Sequence, residues 1–220
     1  MSGVTSRPIT MQPESVRAII DGRKTQTRRL VKLRCGGRAL SAAYHADIDA
    51  WQHSPDGSWS GGCRTDGGWG AMVSGIKCSY GAPGDELWVK EAWSSIGSPG
   101  GDYAYRADGA LNSARAWQPL LFMPRAASRL TLQVSDIRVE RLQDITEEDA
   151  SAEGYERDMT IGERLLGHPA QPEFRPKSWR SARQKFSSAW DEQSGYRSLW
   201  SANPWVWVVT FERATVPGES

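Results

Sequence analysis

The sequence predicts an α+β domain, and three stretches carry that prediction. Leu130, Leu132 and Val134 alternate with Thr131, Gln133 and Ser135, and Ile137 and Val139 alternate with Arg138 and Glu140. A period of two marks a long half-buried strand, and the phase breaks near Asp136. Residues 205–212 are apolar on both faces, the pattern of a central strand, with Asn203-Pro204 at its entry. Residues 13–21 place Val16, Ile19 and Ile20 on one face of a helix. Pro13 suits the first helical turn and Gly22 the position just past the end.

The remaining elements follow in order. A short strand is expected at residues 8–11, and residues 24–31 read as extended. Residues 35–77 are Gly-rich, with Trp51, Trp59 and Trp69 scattered through Gly, Ser and Asp. This is an insertion of hairpins or loops, either a lid or a surface elaboration. Ala82-Pro83-Gly84-Asp85 specifies a type II turn into a strand at 86–93, and a further strand is expected at 103–106. A helix at 147–153 has Thr146 as its cap, Asp149 placed to complete a capping box, and Gly154 to end it. A short helix at 160–166 and a Pro-rich loop at 167–176 precede a helix carrying Trp179, Ala182, Phe186 and Trp190 on one stripe and ending near Gly195. No internal repeat is present. The organisation expected is one domain over residues 1–213, with the insertion at about 35–77, a helical elaboration at about 157–198 and a frayed tail at 214–220.

A chain of 220 residues with 39% hydrophobic and 24% charged residues is long enough to bury a core and too apolar to be disordered. Its 11 Trp suit either an aromatic core or a site that stacks bases. The net charge of +1 gives no global field for binding a polyanion, so such a site must come from local clustering. Clustering is present: Arg23, Lys24, Arg28, Arg29, Lys32, Arg34 and Arg38 follow one another without an acid, whereas residues 144–158 are strongly acidic. No apolar run reaches membrane-spanning length and the first twenty residues lack a leader pattern, so the expected location is the cytoplasm. The 3 Cys cannot all pair, which argues against a secreted disulfide scaffold.

Ile20-Asp21-Gly22-Arg23-Lys24-Thr25-Gln26-Thr27-Arg28-Arg29 resembles the signature of the ASCH family, in the spacing of Gly22, Lys24 and Arg29. Three further blocks share the resemblance: the Gly-Asp turn of 81–89, the capped helix of 142–154 and the closing aromatic strand of 205–212. The longer arrangement, with Met123-Pro124-Arg125-Ala126-Ala127-Ser128-Arg129, is similar to members carried by bacteriophages and prophages, which implies a bacterial or phage-infected bacterial cell. The insertion and the 165–195 region lie outside what compact members share. The resemblance implies a PUA-like small mixed β-barrel with flanking helices, and a cleft for a nucleoside or nucleic acid, RNA in preference to DNA. One fold hosts several activities. The family includes RNA-binding modules, ribonucleases and hydrolases that remove an acyl group from the exocyclic amine of cytidine. The motif of that last group maps onto Lys24, Thr27 and Glu153.

Amide hydrolysis needs a nucleophile, a proton acceptor and stabilisation of an oxyanion. Thr27 can attack or position water, with Lys24 as base or oxyanion partner and Glu153 tuning the lysine. A basic lysine must be neutral, which burial or the neighbouring Arg23, Arg28 and Arg29 would favour. Glu153 lies in the last turn of its helix one turn beyond Asp149, where dipole and like charge both disfavour it, so Lys24 or Arg29 is expected to compensate. On an ideal strand Lys24 and Thr27 point to opposite faces, and they converge only if Lys24 sits in the turn after Gly22 or a bulge intervenes. The plainer reading of 24–29 is a solvated basic edge strand.

Arg125, Ser128 and Arg129 form a second basic cluster, suited to phosphate or to an ion pair with the acidic helix. Trp88, Trp93 and Tyr105 are placed either to stack a base or to fill the core. Cys35, His45, His53, Cys63 and Cys78 fall in or beside the insertion and are zinc-type ligands, but no pair has Cys-x-x-Cys spacing, so no metal and no cofactor is assigned. The leading expectation is a nucleoside- or nucleic-acid-binding protein with amidohydrolase activity on N-acylated cytidine. The alternatives are a ribonuclease, a non-catalytic RNA- or DNA-binding accessory, and a phage morphogenesis-associated protein.

Overall fold

Residues 3–32, 34–35, 38–39, 48–65, 68–96, 102–109, 116–159, 180–194 and 199–214 are described by the computed structural model. Its centre is a five-stranded sheet of β1 (Ser6–Thr10), β8 (Glu86–Lys90), β11 (Thr131–Arg141), β12 (Trp205–Arg213) and β2 (Gln26–Leu30), in that spatial order. β1 runs parallel to β8, and the other three pairings are antiparallel. The mixed α+β class is therefore as expected. The sheet is open: β1 and β2 are its edges, and among the described residues no ladder joins them into a barrel. A side chain spans the gap instead, with Arg29 Nη2 donating to the Thr10 carbonyl at 2.6 Å.

β12 is apolar on both faces because each face has its own core. Trp205, Trp207, Val209 and Phe211 join the larger cluster with Ile9, Val16, Leu87 and Leu132. Val206 and Val208 join a smaller one with Leu142, Ala150 and Phe186. The phase break in β11 is a bulge between Val134 and Asp136. Without it Leu132 and Val134 would face one side and Ile137 and Val139 the other; the extra residue puts all four against the larger core. Arg138 and Glu140 are thereby sent to the opposite face, toward the site.

α1 (Pro13–Ile20) follows β1 and buries Val16, Ala18 and Ile19. α2 (Glu147–Ala152) is capped by Thr146, whose Oγ1 accepts from the Asp149 N–H at 3.1 Å. The second half of the expected capping box is replaced, since the Asp149 carboxylate accepts from Arg28 and Arg138 instead. α3 (Ala182–Ser194) packs beside α2 and buries Ala182 and Phe186. The expected helix at 160–166, the loop at 167–176, Trp179, Gly195 and the tail from 215 lie outside the described residues.

The insertion contains β3 (Arg34–Cys35) paired with β4 (Arg38–Ala39), and a three-stranded antiparallel sheet of β5 (Ala50–His53), β6 (Trp59–Thr65) and β7 (Gly68–Ile76). These are the hairpins expected there, and the three-stranded sheet packs on the core. Trp51 meets Trp205 at 6.3 Å between ring centroids and Trp59 meets Trp207 at 5.8 Å, both edge to face, so this sheet is a second layer of the larger core. The expected strand at 86–93 divides at buried Glu91, and β9 (Trp93–Ser95) pairs with β10 (Tyr103–Tyr105) as a separate hairpin. Among the described residues no helix is long and apolar enough to cross a membrane.

Candidate functional site

The site forms where the C-terminal ends of α1 and α2 meet the start of β2. Gly22, at φ +73°, turns the chain back after α1. The backbone N–H groups of Arg23 and Lys24 both donate to the Ala18 carbonyl, at 2.8 and 2.9 Å, and Thr25 N–H donates to Ala152 O at 2.8 Å. Lys24 is thus held ahead of β2, in an isolated antiparallel bridge with Glu153. Gly154, at φ +92°, ends α2 so tightly that an added Cβ would lie 3.0 Å from Ala18 Cβ and 3.4 Å from Lys24 Cβ. Lys24 sits in the turn and not on the strand, and it lines one cleft with Thr27.

Lys24 Nζ donates to Glu153 Oε2 at 2.6 Å and to the Glu153 carbonyl at 2.9 Å. Burial lowers the Lys24 pKa from its ordinary value; Glu153 opposes this and the charges of Arg29 and Arg28 add to it. The Arg28 side chain is wholly buried, contrary to a solvated edge strand. Its Nη1 donates to Gln26 Oε1 at 2.8 Å and to Glu153 Oε1 at 3.5 Å, its Nη2 to Asp149 Oδ2 at 2.8 Å, and its Nε and Nη2 to Glu140. Arg138 reaches the same two acids, Glu140 and Asp149. Burial pushes the Asp149 carboxyl upward, but Arg28 and Arg138 more than offset it and leave the pKa lowered. Alternating charges therefore lock Glu153 from behind while Lys24 holds it from the front.

The cleft in front of this network has a volume of about 400 Å³. Lys24, Thr27 and Glu153 contribute to its polar side, and Tyr155, Phe186 and Trp190 form an aromatic wall. Thr27 is only 4% exposed, and its hydroxyl has no protein hydrogen-bond partner among the described residues. Burial and the nearby Glu153 charge push the Tyr155 phenol up to about 12, so it stays neutral at physiological pH.

Of the residues expected in a site, the structure brings Lys24, Thr27, Glu153, Arg28 and Arg29 together along the cleft. Glu153 is compensated by Lys24 and Arg28, not by Arg29. Arg23 lies outside it, paired with Asp21 and Glu156 at the surface. The second basic cluster is elsewhere, and its Arg129 is paired with acids. Arg129 forks onto Glu91 and Asp108, not onto the acidic helix, and stacks 4.0 Å from the Tyr105 ring centroid. Ser128 Oγ donates to the Val89 carbonyl, Tyr105 Oη to the Ala127 carbonyl, and Arg125 sits over Trp88. Trp93 packs edge to face on Tyr103. These groups brace the β9–β10 hairpin and the 125–129 turn against the sheet, because Glu91 is 1% exposed and needs a cation beside it.

Among the described residues no group of three metal-type ligands forms. His53 stacks on Trp59, and Cys78 is a core residue whose thiol burial raises to about 11. His45 and the Cys35 side chain lie outside the described residues.

Lys32 of the basic cluster also lines the cleft, and sequence reasoning missed Gln26, Glu140 and Arg138 as supports of the site and Tyr80 and Tyr155 as lining. Only the alternation in β11, which sets Arg138 and Glu140 on one face, signalled any of them. Comparison of the chain with protein-family models, with curated proteins and with solved structures returns no match.

Proposed function

We propose that this is an ASCH-type, PUA-like protein whose cleft binds a nucleoside and hydrolyses an amide on the exocyclic amine of an N-acylated cytidine. The observation that carries the reading is the buried Lys24–Glu153 contact in one cleft with Thr27, whose hydroxyl has no protein hydrogen-bond partner among the described residues. The volume of about 400 Å³ falls in the range of about 300–1,000 Å³ usual for small-molecule sites. Aromatic and polar groups in one lining suit a flat base with a polar rim.

In the proposed reaction neutral Lys24 takes the proton of the Thr27 hydroxyl as its oxygen adds to the acyl carbon. The ammonium so formed, with Arg28 behind it, faces the developing oxyanion. The C–N bond breaks as the exocyclic nitrogen takes that proton, and water then hydrolyses the threonine ester. The products are cytidine and the free acid. Glu153 holds Lys24 in place and restores its proton balance between steps.

Binding of a long polyanion has less support. Of the expected phosphate-binding groups, Arg23, Arg28 and Arg129 already have carboxylate partners, which leaves Arg29 in the cleft and Arg125 outside it, too few cations along one groove to hold a long strand.

The test is incubation with N-acetylcytidine, and separately with labelled RNA, for the wild type and Lys24→Ala. Release of acetate and cytidine that is lost in the variant supports the reading. RNA cleavage without amide hydrolysis would replace it with the ribonuclease, salt-dependent RNA binding without turnover with the accessory protein, and no affinity for either with an assembly role.

A further inference from the structure

Four cationic side chains, Lys24, Arg28, Arg29 and Lys32, line the cleft against one carboxylate, Glu153. Two of the four are committed to carboxylates, Lys24 to Glu153 and Arg28 to Glu140, Asp149 and Glu153. Arg29 and Lys32 have no carboxylate partner among the described residues. Arg29 uses Nη2 on the Thr10 carbonyl at 2.6 Å and on Met11 Sδ at 3.4 Å. Its Nε is buried and has no hydrogen-bond partner among the described residues. Buried guanidinium N–H groups left without an acceptor are rare in folded proteins and call for an explanation. The strap between the sheet edges explains Nη2 alone. Lys32 is exposed just beyond β2, and Ser15 and Tyr80 bring hydroxyls to the same lining.

We infer that Arg29 and Lys32 form an oxyanion subsite, and that the ligand of this cleft carries a phosphate beside its base. The inference rests on the nucleoside reading above and narrows it from a neutral nucleoside to a phosphorylated one. A guanidinium offers paired donors to phosphate oxygens, and a nearby ammonium adds charge without fixing direction. The phosphate is either the monoester of a mononucleotide or the diester of a short strand, and the chemistry seen by Arg29 is the same for both.

The test is calorimetric titration at low salt with cytidine, cytidine 5′-monophosphate, cytidine 3′-monophosphate, a cytidine dinucleotide and ribose 5-phosphate. One monophosphate is expected to bind at least about 10-fold tighter than cytidine, the size of one charge-assisted contact. Arg29→Gln should remove that gain, so that the monophosphate binds this variant no more tightly than cytidine does. Because Arg29→Gln also cuts the strap to Thr10, Lys32→Ala is the control for folding, and it should reduce the gain and its salt dependence. A dinucleotide tighter than either monophosphate identifies a strand as the phosphate source.

Equal affinity of cytidine and all its phosphates overturns the subsite and leaves the nucleoside reading standing. Ribose 5-phosphate binding as tightly as the nucleotides keeps the subsite and sinks the nucleoside reading. No binding by any of the five overturns both.

Discussion

The Lys24 ammonium and the Glu153 carboxylate lie 2.6 Å apart with side chains only 3% and 4% exposed. Each is tolerable there because of the other, since one buried charge alone would carry an uncompensated desolvation cost. Lys24→Met is expected to destabilise the fold by about 3–5 kcal/mol, leaving Glu153 with only the longer Arg28 contact. Adding Glu153→Leu should recover most of that stability, with activity still absent. Urea unfolding of the two variants checks this, and a double variant less stable than Lys24→Met would refute it.

Thr27 separates chemistry from folding. Thr27→Val keeps the shape of a β-branched residue paired with Val209 in β2 and removes only the hydroxyl. Stability should change by less than about 1 kcal/mol, because no hydrogen bond to a described residue is lost. Amide hydrolysis should fall by at least about 100-fold if this oxygen is the nucleophile. Mass spectrometry of the wild type, quenched during turnover, should show the acylated protein, and Thr27→Val should not.

Gly154 controls how closely the two helix ends approach. Alanine there would sit at φ +92° with its Cβ 3.0 Å from Ala18 Cβ and 3.4 Å from Lys24 Cβ. Strain and crowding act together, so Gly154→Ala should lower stability by about 1–3 kcal/mol. It should also displace Lys24 and reduce turnover more than a thermal melt alone would suggest. Gly109, at φ +73° with open space around it and away from the cleft, is the comparison position, where alanine should cost stability only.

The pH behaviour has opposite signs at the two ends of the site. Burial holds the Lys24 pKa below its ordinary 10.5, so the neutral form that the proposed base requires is reached earlier. Activity should rise with pH and reach its plateau below 10.5, and a plateau only above that value would exclude Lys24 as base. Asp149 has a folded-state pKa below its ordinary 3.8. The folded chain therefore binds fewer protons at that carboxyl than the unfolded chain, and the contribution is full above 3.8 and lost as pH falls through the folded-state value. Asp149→Asn should flatten this part of the acid limb of stability, measured by urea unfolding from pH 5 downward.

Much of the fold was legible because it rests on local patterns. Pro13 and Gly22 bracket α1, Thr146 and Gly154 bracket α2, and Gly84, at φ +95°, sits where the Pro-Gly pair placed a type II turn. The break near Asp136 is a bulge. The site was legible in part, because Lys24 and Glu153 stand beside helix-ending glycines that declare a turn. Arg125, Arg129 and Tyr105 misled because a basic cluster has the same appearance whether its acid is a ligand or a distant residue such as Glu91 or Asp108.

From residues alone came the alternation, caps, turns and central strand, because each depends on neighbours within a few positions and on the geometry of one backbone segment. Tertiary structure decided which charges are free and which are spoken for. Arg28 is paired with acids more than 100 positions away, at separations of 112, 121 and 125, and Arg29 beside it has none among the described residues. Coulomb interactions and desolvation depend on distance in space and on burial, and for these two arginines both were set by how β2, β11 and α2 pack.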